Sequence, residues 1–146
     1  MRAITFDGAI RRYLLTKAVG RMSTRLLTGN GESHERDALM LVVANANYFG
    51  GSFHIAPGAR LDDGQLDAVC IPNAGPLARA RLFGLVGQGK HEGHDQVLIE
   101  QSSSFEVSFA EPVRYEVDGE VYTSSESTLR IESVPQALDV FVPAET

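Results

Sequence analysis

A mostly β fold of the α+β kind, a sandwich of short antiparallel strands with one or two helices, is what the 146-residue sequence predicts. Three observations predict it. Phe105-Glu106-Val107-Ser108-Phe109 alternates apolar and polar residues, as a strand with one wet face does. The segments after Val97 are short and are broken at close intervals by Pro112, Asp118-Gly119, Ser124-Ser125 and Pro135. Helical spacing of apolar residues occurs in only two places, residues 9–28 and 76–86.

Taken in order, Ala3-Ile4-Thr5-Phe6-Asp7 is a candidate short strand ended by Gly8. Leu15, Val19, Met22 and Leu26 then fall on one helical stripe, with Lys17, Arg21 and Arg25 on another, so a helix is predicted over 9–28. Gly29-Asn30-Gly31 stops it, and the polar stretch from Glu32 to Asp37 is predicted as a loop. The apolar run from Ala38 to Ala44 suits a strand buried on both faces. The turn Asp62-Asp63-Gly64 leads into a strand from Leu66 to Ile71.

Pro76 suits the first turn of a second helix, Pro76 to Val86, with Leu77, Ala80 or Arg81, and Gly84 or Leu85 on its apolar face. Gly87 to Asp95 is a predicted loop. Further strands are predicted at Val113–Val117, Val121–Thr123, Thr128–Glu132 and Leu138–Val142. No repeat divides the chain, so residues 1–146 are expected to be one domain.

Composition narrows the function classes. Hydrophobic residues make up 43% and charged residues 22%, which is ordinary for a folded protein. The single cysteine, Cys70, lies in the apolar run Ala68-Val69-Cys70-Ile71 and is expected to be a buried small hydrophobe. No internal disulfide can form, which fits a reducing, cytoplasmic setting. No apolar run approaches bilayer length, and no secretory signal is recognisable. The net charge of −6 argues against nucleic acid as a partner. The charge is uneven: Arg11, Arg12, Lys17, Arg21 and Arg25 stand between Gly8 and Gly31 with no acid among them. A basic amphipathic helix of that kind either packs on the sandwich or rests on an anionic bilayer.

Other chemistries find little support. Gly-x-Ser-x-Gly and the phosphate-binding Gly-x-x-x-x-Gly-Lys are absent. His91, His94 and Asp95 form a short His-x-x-His spacing without further ligands nearby, and His34 and His54 stand isolated.

The segment from Asn45 to Asp67 is more specific. It carries Asn45 and Asn47, then Gly50-Gly51, Ala56-Pro57-Gly58-Ala59, and Asp62-Asp63-Gly64-Gln65-Leu66-Asp67. Gly89-Lys90-His91 and Asp118-Gly119-Glu120 follow. These linked elements, in this order over about residues 38–142, resemble the C-terminal domain of the diacylglycerol kinase family, which includes sphingosine kinases and bacterial lipid kinases. NAD kinases share the superfamily at a distance but lack the Ala-Pro and Asp-Asp-Gly-x-Leu-Asp segments.

The resemblance implies a fold, a β-sandwich C-terminal domain, and an activity, transfer of the ATP γ-phosphate to a lipid hydroxyl with Mg²⁺. It implies that Asp63 and the carbonyls of Arg60 and Gln65 hold a structural Mg²⁺, a plausible set for a hard cation. Glu120 would be the base that takes the hydroxyl proton, and Asp118 would orient the site. Asn45, Asn47, Gly50 and Gly51 would shape the cleft wall near the nucleotide. Without the resemblance, Asp63-Gly64 and Asp118-Gly119 are ordinary turns.

The family's phosphate-binding Gly-Gly-Asp-Gly-Thr belongs to an N-terminal ATP-binding domain and is absent from this sequence. Half a cleft is expected to be inactive alone, since phosphoryl transfer rests on positioning and charge neutralisation. Three arrangements follow: part of a longer kinase, a subunit pairing with a separate ATP-binding chain, or a non-catalytic lipid-binding or protein-interaction domain. The expected partners are a lipid at the membrane surface and the ATP-binding domain. The face left by a missing domain favours self-association. The expected location is cytoplasmic and peripheral to the membrane.

Overall fold

The computed structural model describes residues 22–49 and 53–137. Within them lie eight strands and one helix: β1 (Met22–Thr28), β2 (Ser33–Ala44), β3 (Leu66–Pro72), α1 (Pro76–Gly87), β4 (Leu98–Ser102), β5 (Ser104–Phe109), β6 (Arg114–Val117), β7 (Glu120–Thr123) and β8 (Thr128–Glu132). Six strands form an antiparallel sheet in the order β4-β3-β2-β1-β5-β8, and β6 and β7 form a separate hairpin.

Connectivity forces this sheet to fold over. β4 and β5 are four positions apart in strand order, about 19 Å in a flat sheet. Only Ser103 separates them in sequence, and that link spans about 7 Å. The sheet therefore bends until its β4 edge reaches β5. The register shift in β2 between Ala38 and Met40 marks one corner, and the Ser103 junction marks another. Gly29, at the end of the β1–β2 hairpin, sits at the second corner. Its N–H donates to the Ser104 carbonyl (2.9 Å) and to Ser102 Oγ (3.0 Å). A Cβ placed on Gly29 would lie 2.6 Å from Ser104 Oγ, so any side chain there requires that hydroxyl to move.

Folding over creates two apolar layers. Leu26, Leu66, Ala68, Phe105 and Val107 fill the inside, with Leu41, Val43, Leu98, Phe109 and Ile131 around them. On the outer face, Val69 and Ile71 of β3 pack with Ile55, Ala56, Leu82 and Val86 beneath α1. Neighbours on one strand thus serve opposite layers, as the strand period of two requires. Cys70 is buried, as expected for an inert small side chain, and burial pushes its thiol pKa up.

Most predicted elements appear: Ala38–Ala44 within β2, Leu66–Ile71 within β3, the helix from Pro76, and the strands at 105–109, 114–117, 121–123 and 128–132. Three expectations are corrected. Residues 22–28, assigned to the C-terminal end of a helix over 9–28, form strand β1. Met22 and Leu26 are four apart, and an even spacing also places two residues on one strand face. The deciding pattern is the burial of Thr24, Leu26 and Thr28 alternating with more open neighbours. Arg25 is exposed on this strand and donates to Ser33 Oγ at 3.1 Å.

The second correction concerns Glu32 to Asp37. From Ser33 this stretch belongs to β2, because pairing with β1 satisfies its backbone while Glu35, Arg36 and Asp37 face water. The third concerns the face of α1. Arg79, Leu82 and Val86 are buried, whereas Leu77 is 89% exposed. Arg79 lays its stem into the layer and donates to Asn73 Oδ1 at 2.8 Å, a use of arginine that an apolar pattern does not register. The predicted strands at 3–7 and 138–142, and the 9–21 part of the predicted helix, lie outside the described residues.

Candidate functional site

The Asp-Asp-Gly turn precedes β3. Gly64 takes φ +69°, which lets the chain reverse between Asp63 and Gln65. The two aspartates have separate employment. Asp62 pairs with Arg60 through both carboxylate oxygens, at 3.1 and 3.2 Å. Hydrogen bonding and charge from Arg60 hold the Asp62 carboxyl below the usual range. Asp63 Oδ1 accepts the Gln65 N–H at 2.8 Å, and Oδ2 lies 3.5 Å from the Gln101 amide nitrogen. Asp63 is exposed, and no basic side chain claims it among the described residues.

That arrangement fits the cation the resemblance implies. Arg60 is neutralised by Asp62, so Asp63 keeps lone pairs for a hard ion; the carbonyls of Arg60 and Gln65, which the resemblance adds to the set, flank it in sequence. Sequence reasoning missed two further groups here. Asp67 is buried at the start of β3, in register with Gln101 of β4. Burial raises the Asp67 pKa, with smaller contributions in the same direction from Asp63 and Glu92; the Gln101 side chain opposes them. Gln101 therefore stands between two carboxylates, Asp63 and Asp67.

Asn45 and Asn47 follow β2 directly. The Asn47 carbonyl accepts the Ala56 N–H at 3.4 Å, and Phe49 and Phe53 exchange backbone hydrogen bonds at 2.8 and 3.0 Å. Gly50 and Gly51 lie outside the described residues. This segment is tied to the following loop from beneath: the fully buried His91 places Nε2 2.7 Å from the Ile55 carbonyl. A carbonyl only accepts, so His91 is protonated at Nε2 and acts as an internal prop. Its place in Gly89-Lys90-His91 was the available signal.

Asp118 and Gly119 take φ +48° and +91°, the type I′ geometry that joins β6 to β7. The turn leaves Asp118 and Glu120 exposed, outside both apolar layers. Tyr122 donates its hydroxyl to Glu120 Oε2 at 2.7 Å and stacks on Tyr115 across the hairpin, at a centroid distance of 5.7 Å. The bond to the Glu120 carboxylate is the main reason the Tyr122 pKa rises. No hydrogen bond or ion pair among the described residues joins this hairpin to the Asp63 turn. An open groove of about 500 Å³ between α1 and the loop at 94–96 is lined by none of the predicted site residues.

The folded-over antiparallel sheet with one helix on its outer face is a β-sandwich of the NAD kinase-like kind. The chain belongs to the YegS C-terminal NAD kinase β-sandwich-like domain family, whose model matches residues 15–142. It is 30% identical over 138 residues to a "Probable lipid kinase YegS-like" protein of Xanthomonas euvesicatoria pv. vesicatoria, an alignment covering 91% of this chain and 44% of that protein. It is 24% identical over 116 residues to a "Diacylglycerol kinase" of Staphylococcus carnosus, covering 80% of this chain and 37% of that one. A diacylglycerol kinase crystal structure from Bacillus anthracis shares the fold at a TM-score of 0.52 and 23% identity, covering 86% of this chain and 42% of that chain. The chain thus spans less than half the length of these relatives. No helix among the described residues is long and apolar enough to cross a membrane.

Proposed function

We propose that this domain is the acceptor-side half of a lipid kinase, which moves the γ-phosphate of ATP to the hydroxyl of a membrane lipid once it is joined to an ATP-binding half. The observation that carries this reading is the Glu120 hairpin. Its turn holds a carboxylate in solvent, and Tyr122 donates a hydrogen bond to one of its oxygens. Kinship with lipid kinases over most of the chain supports the choice of acceptor.

In this mechanism Glu120 accepts the proton of the lipid hydroxyl as that oxygen bonds to the γ-phosphorus and the bond to the departing ADP oxygen breaks. Tyr122 orients the base, and Asp118 shapes the turn that presents it. Asn45 and Asn47, at the end of β2, form the wall facing the nucleotide. Asp63, with the carbonyls of Arg60 and Gln65, would hold Mg²⁺, which when bound supplies positive charge that fixes the turn. Gln101 steadies the Asp63 carboxylate from β4. The working site lies at the membrane surface, where the lipid is.

The test combines the chain with the half of the Xanthomonas relative that it does not cover, labelled ATP and mixed lipid vesicles. Labelled phospholipid is expected, and Glu120→Gln is expected to lower its formation by about 10²-fold or more without changing the unfolding midpoint. A folded complex that leaves every lipid unlabelled would favour the other reading, a lipid-binding or protein-interaction domain. Equal rates with Gln at 120 would remove Glu120 from the mechanism.

A further inference from the structure

We propose that Glu32, His34 and Glu100 form a divalent transition-metal site that clamps the β1–β2 turn to β4 across the mouth of the folded sheet. One ligand atom from each of these residues lies within 4.8 Å of the other two. The three come from separate parts of the chain. Glu32 closes the hairpin turn, His34 begins β2, and Glu100 sits in β4. His34 is in register with Leu26, and Glu100 with Ala68. Leu26 and Ala68 both belong to the inner layer, so His34 and Glu100 point the same way, at its rim.

The spacing of the pair, an ion-pair distance, also suits two ligands sharing an ion. His34 Nε2 is 3.2 Å from Glu100 Oε1, yet it is closed to solvent and makes no aligned hydrogen bond. Metal–ligand bonds of about 2.0–2.1 Å in a tetrahedron place neighbouring ligand atoms about 3.4 Å apart. Both side chains are only about a quarter exposed, at 24% and 22%, so an ion there would be partly shielded from water. Glu32 is the exposed third ligand. Its backbone is held in place: the Thr28 N–H donates to the Glu32 carbonyl at 2.9 Å, and the Glu32 N–H donates to Thr28 Oγ1 at 3.0 Å.

The donor set selects the ion. One imidazole with two carboxylates suits Zn²⁺ and similar borderline ions, whereas Mg²⁺ and Ca²⁺ prefer oxygen alone. The site is also separate from the Asp63 turn. Glu100 and Gln101 are adjacent on β4 and point to opposite faces, one toward His34 and the other toward Asp63. Three protein ligands leave a fourth position for water. The physical consequence is a staple between the β1–β2 turn and the β4 edge of the bent sheet.

The test is calorimetric titration of ZnCl₂ into the tag-free, metal-stripped chain, with thermal unfolding in parallel. One Zn²⁺ per chain is expected, together with a higher unfolding midpoint in excess Zn²⁺. His34→Gln and Glu100→Gln are each expected to weaken binding at least about tenfold and abolish the midpoint rise, while His94→Gln changes neither. Because a variant could misfold, Co²⁺ added to the unaltered chain gives a second reading: visible absorption of a low-coordinate site, lost on adding Zn²⁺. No saturable Zn²⁺ binding, an isotherm unchanged in both variants, or Co²⁺ spectra of the hydrated ion would overturn the proposal.

Discussion

At the scale of single residues, buried polar groups separate what the site needs from what the fold needs. Asp67 is the clearest case. Its pKa is raised in the folded state, so the folded protein binds more protons than the unfolded chain between the ordinary aspartate pKa and the raised one. The contribution of Asp67 to stability is therefore fully present below the ordinary value and declines as pH rises through the folded one. Asp67→Asn is expected to remove that decline, so that urea midpoints measured from about pH 4 upward fall less steeply than in the parent. An unchanged slope would place the pH dependence elsewhere. His91 contrasts with it, since its ring satisfies the Ile55 carbonyl inside the outer layer. His91→Ala would leave that carbonyl unpaired and open a cavity, and a loss of about 2–4 kcal/mol in urea unfolding is expected. The two Asp-Gly turns were legible in the sequence because such pairs mark reversals. Asp67, Gln101, Tyr122 and the His34 cluster were not, because their partners are 2 to 68 positions away and only the fold reveals which face each side chain shares.

At the scale of elements, the errors and successes have one cause. β5 and β8 were legible because alternation with one wet face has a single interpretation. β1 was misassigned because Met22 and Leu26 satisfy the helical and the strand period alike, and because Gly29-Asn30-Gly31 ends a hairpin as readily as a helix. The first half of β2 looked like a loop because no core face marks it; its order comes from pairing with β1. The corner where the hairpin meets β4 and β5 makes a measurable claim. In Gly29→Ala the new methyl group meets Ser104 Oγ, and a loss of about 1–2 kcal/mol is expected. Gly29→Ala combined with Ser104→Ala should recover part of it, because the obstructing oxygen is gone. If the double variant is as unstable as the sum of the two single ones, the close approach at this corner is not what constrains Gly29.

At the scale of the whole molecule, the question is whether the two apolar layers melt separately. They lie on opposite faces of shared strands: β3 sends Val69 and Ile71 to one and Leu66 and Ala68 to the other, and β2 divides Met40 and Val42 from Leu41 and Val43 in the same way. Losing either layer removes the support of β2 and β3, and these strands are also the backing of the other. One cooperative transition is therefore expected. Leu82→Ala under α1 should cost about 2–5 kcal/mol, and Phe105→Ala in the inner layer about 3–5 kcal/mol. Each should lower the same single midpoint, whether it is followed by far-ultraviolet circular dichroism or by tyrosine fluorescence. The comparison also bears on the site. The Asp63 turn runs directly into β3, and β4 supplies Gln101, so a change under α1 that loosened only the outer layer would shift the Asp63 environment while leaving the inner layer intact. Two separated transitions in Leu82→Ala would show that behaviour, and would mean that the Asp63 turn can open without unfolding the sandwich.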